Sequence, residues 1–549
     1  MAGRNDATNA KALGLGMAVL TLVFALAPLW PGAVVISQHE GDALHLADLV
    51  ARMAEAGQWP HRDFMTPIGI GALWPIVVFA KLGLGFGHAF LAAQTFAAVL
   101  LFGPIWRAAA SRFTGGLAWL FAGYGLTLCL ALVHGETLPA NSLAMHYNRW
   151  GWALAYVAVA LALLEPRGAR RPGLDGALIG TMLALMAVIK VTYFMAFAPA
   201  VVVALLARHD LRTLVVAFGT GLALALALTG LLGVTFWQGY LHDLMTVAAS
   251  KERAAPGVSL GTLLTAPRYI CATLLLLVTV IFLRQGGAKA AGLGLFGLAP
   301  AFVYVTYQNF GNDPQWLVLL GLLALMLRPE SSVTNGFGWR LRDALAVTGA
   351  GALILAAGPA LNLAWSPLRQ ALAHREGTVV YLSARPQDAD LWAQARRVHG
   401  VTQTMAADGS GQPYAAFGAE LPARAGQVTL NGMPLPECEL VTGYGALFET
   451  AAKDLTAAGY AGARVLVADL FSGLWLFGPF PPIEGAAPWY YGGTPGLAAA
   501  DHLLVPLCAV SKPSRAEFLK AVEAAGWTLE EELRTPTFVL LKPVAPPGH

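Results

Sequence analysis

Apolar runs of membrane-spanning length recur from Leu13 to about Leu363, separated by short turns that carry charge, Pro or Gly. After about Trp365 the pattern changes: charged residues, Pro and Gly rise and no spanning run appears. Short β-rich runs (Thr378–Leu382, Arg464–Ala468, His502–Leu507, Thr537–Leu541) then alternate with helix-like segments at Phe448–Ala458 and Ser514–Ala525. Pro513 and Gly526 read as the start and stop signals of the second segment. The pattern predicts a polytopic α-helical membrane module over residues 1–363 and a soluble α/β domain over 364–549. That tail shows no GxSxG, P-loop or dinucleotide fingerprint. The first apolar run follows Arg4 and Lys11 and contains Ala25-Leu26-Ala27, but Pro28 disfavours cleavage there, so a retained signal-anchor helix is expected.

The distribution of Lys and Arg sets the expected orientation. With the N-terminus cytoplasmic, Arg107/Arg112, Arg167/Arg170/Arg171, Arg208/Arg212, Arg284/Lys289 and Arg328/Arg340/Arg342 all fall inside. The opposite loops are acidic or mixed: Glu40 to Asp63, Glu136 to Arg149, Asp243 to Arg268, and Asn309 to Asp313. The alternation requires Ile68–Leu84 to lie on or dip into the outer leaflet rather than cross it. About eleven spanning helices result, and the C-terminal domain falls outside the cytoplasm.

Hydrophobic content of 56% with 12% charged residues agrees with a membrane protein. The net charge of +3 is accounted for by the inside loops and suggests no nucleic-acid partner. Cys129 and Cys271 sit in helices as small core residues; Cys438 and Cys508 share the outer tail, where a disulfide can form. No CxxC, HExxH or paired-histidine spacing points to a metal site.

The densest polar stretch follows the first helix, in an outer loop over residues 37–66. It carries Glu40, Asp42 and Asp48, then His61-Arg62-Asp63. Ionisable groups beside a bilayer are costly and usually serve a pathway or a reaction. From Asp42 to Ala56 the period is helical, with Leu46, Leu49, Val50 and Met53 on one face and His45, Asp48, Arg52 and Glu55 on another. This predicts an amphipathic helix parallel to the membrane plane, ended by Gly57. Asp42 opens it and either caps its amides or points into a cavity beneath.

The pattern of a first helix, an acid, an amphipathic helix and then Trp59-Pro-His-Arg-Asp-Phe-Met-Thr-Pro-Ile-Gly69 resembles the GT-C membrane glycosyltransferases. It is similar to bacterial members of families 39 and 83 and the aminoarabinose transferases. The resemblance covers residues 10 to 363. It implies a polyprenyl-phosphate sugar as co-substrate, a location in the bacterial inner membrane with a periplasmic tail, and an acceptor that is a glycolipid, polysaccharide or protein. It also implies that an acid of the first outer loop takes the proton of the acceptor hydroxyl. Asp42 matches that acid by its distance to Met53; many relatives write Asp-Glu where this chain has Glu40-Gly-Asp42, so Glu40 shares the candidacy.

Other polar groups are expected on the same side. Glu136, His146, Tyr147, Asn148 and Arg149 cluster where a helix re-enters the bilayer, as acceptor or sugar contacts. Arg149 is either a snorkelling anchor or a forked clamp for a lipid phosphate, and Arg62 is a further phosphate candidate. Lys190 interrupts an apolar run, where a lysine costs roughly 2.5–3.5 kcal/mol on insertion scales. A helical hairpin would bring it to the outer tip, where a phosphate or Glu136 offsets that cost. Asn309, Asn312 and Asp313, in an insert between two helices, either hydrogen-bond sugar hydroxyls or make a turn. The loop with Asp243, Lys251, Glu252, Arg253 and Arg268 reads as a solvated charge run or a lid. The run from Leu470 to Gly493, rich in aromatics, could stack on a sugar, rest on headgroups or simply pack.

A departing polyprenyl phosphate already carries charge and requires no acid, so no metal is demanded, and a divalent ion stays open. The resulting expectation is an inverting glycosyltransferase. A transporter or flippase would also keep Lys190 and Glu136, but it would not require an acid at the start of an outer amphipathic helix. A non-catalytic subunit of polysaccharide assembly, binding glycan through the tail, is the other alternative.

Overall fold

The computed structural model describes residues 9–250, 260–308, 315–409, 411–418 and 428–546. Asn309, Asn312 and Asp313 lie outside the described residues, as do Lys251, Glu252 and Arg253 and the side chain of Arg268.

The helices in chain order are α1 (Ala10–Leu26), α2 (Glu40–Ala54), α3 (Ile70–Lys81), α4 (Phe86–Arg112), α5 (Gly115–Leu130), α6 (His146–Leu163), α7 (Pro172–Ile189), α8 (Val191–Ala207), α9 (Leu211–Leu232) and α10 (Val234–Ala249). Leu260–Thr265, Pro267–Gln285, Lys289–Gln308, Trp316–Met326 and Leu341–Ala371 follow. Among the described residues six helices are long and apolar enough to cross a membrane, and five shorter apolar helices accompany them. Their outward faces carry exposed large side chains such as Leu15, Val215, Phe218 and Ile354. The chain is a multi-pass membrane protein. The helix assigned to end at Leu363 runs on to Ala371.

The axis of the bundle is α6, buried at every position except Tyr147. Its Trp152 meets the rings of Tyr193, Phe197 and Phe302, and Phe302 stacks on Trp316 at 5.0 Å. These aromatic contacts from two other helices, one of them backed by Trp316, fix α6 in place. In contrast α9 faces outward almost everywhere, burying only Thr213 and Ala217. The segment expected to stay short of a crossing is α3, 12 residues long with Pro75 inside it. At 1.5 Å per residue it reaches about 18 Å, well below the hydrocarbon thickness.

The C-terminal region carries a four-stranded sheet in the order Thr528–Arg534, Phe538–Val544, His502–Pro506, Val465–Val467. Helix Lys512–Ala524 starts behind Ser511, whose side chain accepts from the Ser514 amide, and Gly526 takes φ +75° just past its end. Helix Tyr444–Ala457 packs on the segment Gly473–Phe477. A disulfide joins Cys438 to Cys508, 70 residues apart.

The two parts of the chain are not separate bodies. Val34–Ile36, directly after the first helix, adds a parallel strand to Leu391–Gln394, which pairs in turn with Thr378–Val380. The amino end of α4 has only Gly85 as its cap residue, and the tail supplies the missing acceptors. Asp388 Oδ1 accepts from the Phe86 amide at 2.9 Å, and Asp390 accepts from Gly87 and His88 at 3.1 and 2.7 Å. Carboxylates at a helix start satisfy free amides and oppose the helix dipole. A Cβ at Gly85 would come within 2.5 Å of the Gln387 carbonyl, so the approach requires glycine there.

The largest departure from expectation is α2. The amphipathic pattern predicts a helix parallel to the membrane plane; the tail covers its polar face, and Glu40, His45, Asp48 and Arg52 are buried. Arg52 Nε bonds Asp48 at 2.6 Å, Trp475 Nε1 donates to Asp48 at 2.9 Å, and Arg52 Nη1 donates to the Ile483 carbonyl at 2.7 Å. His45 meets the Trp489 ring, and a Cβ on Gly41 would touch Phe471. The aromatic run Leu470–Gly493 therefore packs down on α2 rather than opening a sugar platform, because that is where its rings find apolar partners.

Candidate functional site

Glu40, the first residue of α2, is 3% exposed and takes a bidentate ion pair from Arg397, both bonds 2.8 Å. Its backbone carbonyl accepts from Tyr381 Oη at 2.9 Å. The carboxylate expected to share the base role is thus committed to anchoring α2 to the tail. Burial, with Glu40 as second cause, holds the Tyr381 hydroxyl well above the usual phenol range.

Asp42 differs from every neighbour. From Glu40 to Met53 it is the one position on α2 that is not buried; it is half-buried. No side chain caps the helix, since His39 holds the cap position at φ +60° without such a bond, and Asp42 sits in the first turn where the dipole favours a negative charge. The residues contacting the tail (Glu40, Gly41, Leu44, His45, Asp48, Arg52) occupy one side of the helical wheel. At 100° per residue Asp42 falls on the opposite side with Leu46, Leu49 and Met53. α2 also packs against α3.

The connection between α5 and α6 runs beneath the start of α2. Ser142 Oγ lies 3.0 Å from His39 Nδ1, and the rings of His39 and His134 meet edge to face at 4.6 Å. His134 Nδ1 approaches Glu136 at 3.4 Å, and the Glu136 carbonyl accepts from Asn362 at 2.6 Å. Burial lowers the His39 pKa, opposed by Glu40 and assisted by Arg397. One ligand atom from each of His39, His134 and Glu136 lies within 4.8 Å of the others. Two imidazoles and a carboxylate are a donor set suited to zinc, and contraction by about 1–1.5 Å would bring them to coordination spacing. The expectation of no metal site rests on spacing along the chain; two loops bring these three donor groups together. His39 and His134 were passed over in the sequence, although His134-Gly-Glu136 carries a legible signal.

Lys190 forms the one-residue break between α7 and α8, with extended backbone at φ −157°. Its ammonium donates to Asn148 Oδ1 at 2.8 Å and lies 5.3 Å from the Tyr147 ring. Gly69, entering α3, donates its amide to Ile189 O at 3.2 Å, which ties this break to the first loop. Ser142, beside His39, and Asn148, beside Lys190, belong to one short segment of chain. The start of α2 and the Lys190 ammonium therefore share a common support.

Three sequence candidates fall elsewhere. Arg149 is 1% exposed and donates to the carbonyls of Val133 (2.7 Å) and Ala144 (3.1 Å). It braces the α5–α6 connection and presents no face to a phosphate. His146 is buried among Phe90, Tyr147 and Trp150, its Nε2 3.0 Å from the Ala72 carbonyl, so it positions α3 rather than meeting an acceptor. Arg62, 64% exposed, is held bidentately by Asp63 at 2.8 and 2.6 Å and lowers the pKa of that carboxyl. Arg62 lines a cavity of about 880 Å³ between α10 and the tail, with Asp243, Tyr491 and Glu517. Asp243 is bonded there by His61 Nδ1 at 2.8 Å and by the Thr66 amide at 3.1 Å.

No family model matches the chain. No curated protein matches it either. Among solved structures it is similar to the crystal structure of ArnT from Cupriavidus metallidurans in the apo state, at 12% sequence identity and a TM-score of 0.41, over 97% of this chain and 98% of that one. At that distance the functional reading rests on the site itself.

Proposed function

We propose that the chain is an inverting GT-C-type glycosyltransferase that moves a sugar from a polyprenyl-phosphate donor to an extracytoplasmic acceptor. The observation that carries the reading is Asp42: the one half-buried carboxylate on a helix otherwise buried from Glu40 to Met53, on the face opposite the one that the tail covers. In this mechanism Asp42 accepts the proton of the acceptor hydroxyl as its oxygen bonds the anomeric carbon. The bond from that carbon to the phosphate oxygen breaks on the opposite face, which inverts the centre, and the lipid phosphate leaves as an anion. A general base contributes roughly 10²–10⁴-fold. Lys190, supported by Asn148 and Tyr147, supplies positive charge toward the leaving phosphate. A divalent ion held by His39, His134 and Glu136 would add charge beside the same connection.

The test compares envelope glycolipids and glycans by mass spectrometry in cells lacking the protein and in cells complemented with wild type or Asp42→Asn. Wild type should restore one sugar-bearing species and Asp42→Asn should not, at equal protein level. Full complementation by Asp42→Asn would refute the transferase reading and favour transport or scaffolding.

A further inference from the structure

At the end of the bundle opposite the tail lies a second cavity of about 720 Å³, formed by the last turns of α4, the connection 166–171 and the start of α7. Because the first amides of α4 bond Asp388 and Asp390, its 27 residues carry Arg112 about 40 Å from the tail. That is the full depth of a bilayer with its headgroups. Arg107, Arg167 and Arg171 line the cavity, and apolar walls come from Pro104, Trp106 and Leu174.

The charge there is unbalanced. Asp175 is buried and shared by two guanidiniums, Arg107 at 2.9 Å and Arg112 at 2.6 Å. One carboxylate against two cations leaves a net positive wall. Arg167 and Arg171 stand at the exposed rim, and Arg167 has only the Phe113 carbonyl, 3.5 Å away, as a side-chain partner among the described residues. Guanidiniums at the edge of apolar walls, at headgroup depth, complement a phosphate that continues into hydrocarbon.

We propose that this cavity is a headgroup site for an anionic phospholipid, separate from the Asp42 site. The phosphodiester sits between Arg107, Arg167 and Arg171, and the first acyl methylenes lie against Trp106 and Leu174. A net negative headgroup is selected because an added ammonium would meet the arginine rim.

The full chain is purified in mild detergent, exposed to phosphatidylglycerol or phosphatidylcholine, and its bound lipid is counted by native mass spectrometry. Wild type should retain one phosphatidylglycerol and little phosphatidylcholine. Arg167→Gln/Arg171→Gln should weaken that retention about thirty-fold, since each surface cation contributes roughly a factor of five to anionic lipid binding. The control Arg340→Gln/Arg342→Gln, an exposed basic pair at the start of helix Leu341–Ala371, should retain the lipid as wild type does. Equal loss in the control would show diffuse charge rather than a site. Retention by Arg167→Gln/Arg171→Gln would also overturn the proposal, as would complete displacement of the lipid by inorganic phosphate at millimolar concentration.

Discussion

Single residues explain why three carboxylates on one short helix cannot share a role. Glu40 and Asp48 are buried, against Arg397 and Arg52, while Asp42 is half-buried on the other face. The acids were visible in the sequence, and so was the helix; the sorting among them required the tail, which lies more than 300 residues along the chain. Arg149 shows the reverse case. Its position before the aromatics Trp150 and Trp152 suggested headgroup depth, but carbonyls left open by the α5–α6 connection occupy its donors. At the same scale, Asp469 is fully buried, accepts from the amides of Leu470, Val510 and Ser511, and is pushed up to about 6 by burial. A carboxyl raised in the folded state binds its proton more tightly folded than unfolded, so stability should fall as pH rises from about 4 to about 6. The linked change is up to about 3 kcal/mol. Urea unfolding of the full chain, followed by hydrogen exchange in the tail, should show that slope, and Asp469→Asn should flatten it.

At the scale of elements, α2 acts as a wedge between the bundle and the tail, held by the Glu40–Arg397 ion pair and by the bonds that the buried Asp48–Arg52 pair makes to Trp475 and the Ile483 carbonyl. Asp48→Ala would leave the Arg52 guanidinium buried without its carboxylate, a loss of about 3–5 kcal/mol. The pair replaced together, Asp48→Leu/Arg52→Met, should recover at least half of that in chemical denaturation. A double variant as unstable as Asp48→Ala would show that Trp475 and Ile483, rather than the ion pair, carry the contact. The disulfide is a second element-scale tie. Closing a loop of 70 residues restricts the unfolded tail by about 4 kcal/mol in the chain-entropy picture. Reduction or Cys438→Ser should therefore lower the unfolding midpoint of the tail, read by exchange in strand Cys438–Thr442, while leaving the bundle helices protected. The strand Thr528–Arg534 was not anticipated, because Glu530, Glu531 and Glu532 in succession hide the alternation; its place at the sheet edge, exposed on both faces, permits such a sequence.

On the scale of the whole molecule, the bundle and the tail complete each other. The tail lends carboxylates to the start of α4 and a cover to α2, and the segment after α1 returns a strand to the tail. A chain stopped after Ala371 should thus expose α2 and the α4 amides; size-exclusion of the fluorescent fusion is expected to show aggregation instead of a monodisperse bundle. A monodisperse, fully active truncation would mean that the tail is dispensable to the site. The class of the protein was legible from local pattern alone, because a spanning helix needs only an uninterrupted apolar run and a strand needs only alternation. The hairpin at Lys190 and the existence of the tail domain follow from the same short-range signals, and the incomplete crossing of α3 follows from the alternation of basic and acidic loops along the bundle. Long-range pairing is another matter: whether a carboxylate is locked or accessible, whether His39 finds His134 and Glu136, and whether an arginine meets a carbonyl or a lipid depend on contacts between segments far apart in the chain. Periodicity gives the direction a side chain faces along its own helix, but it contains no information on what the rest of the chain brings to that face.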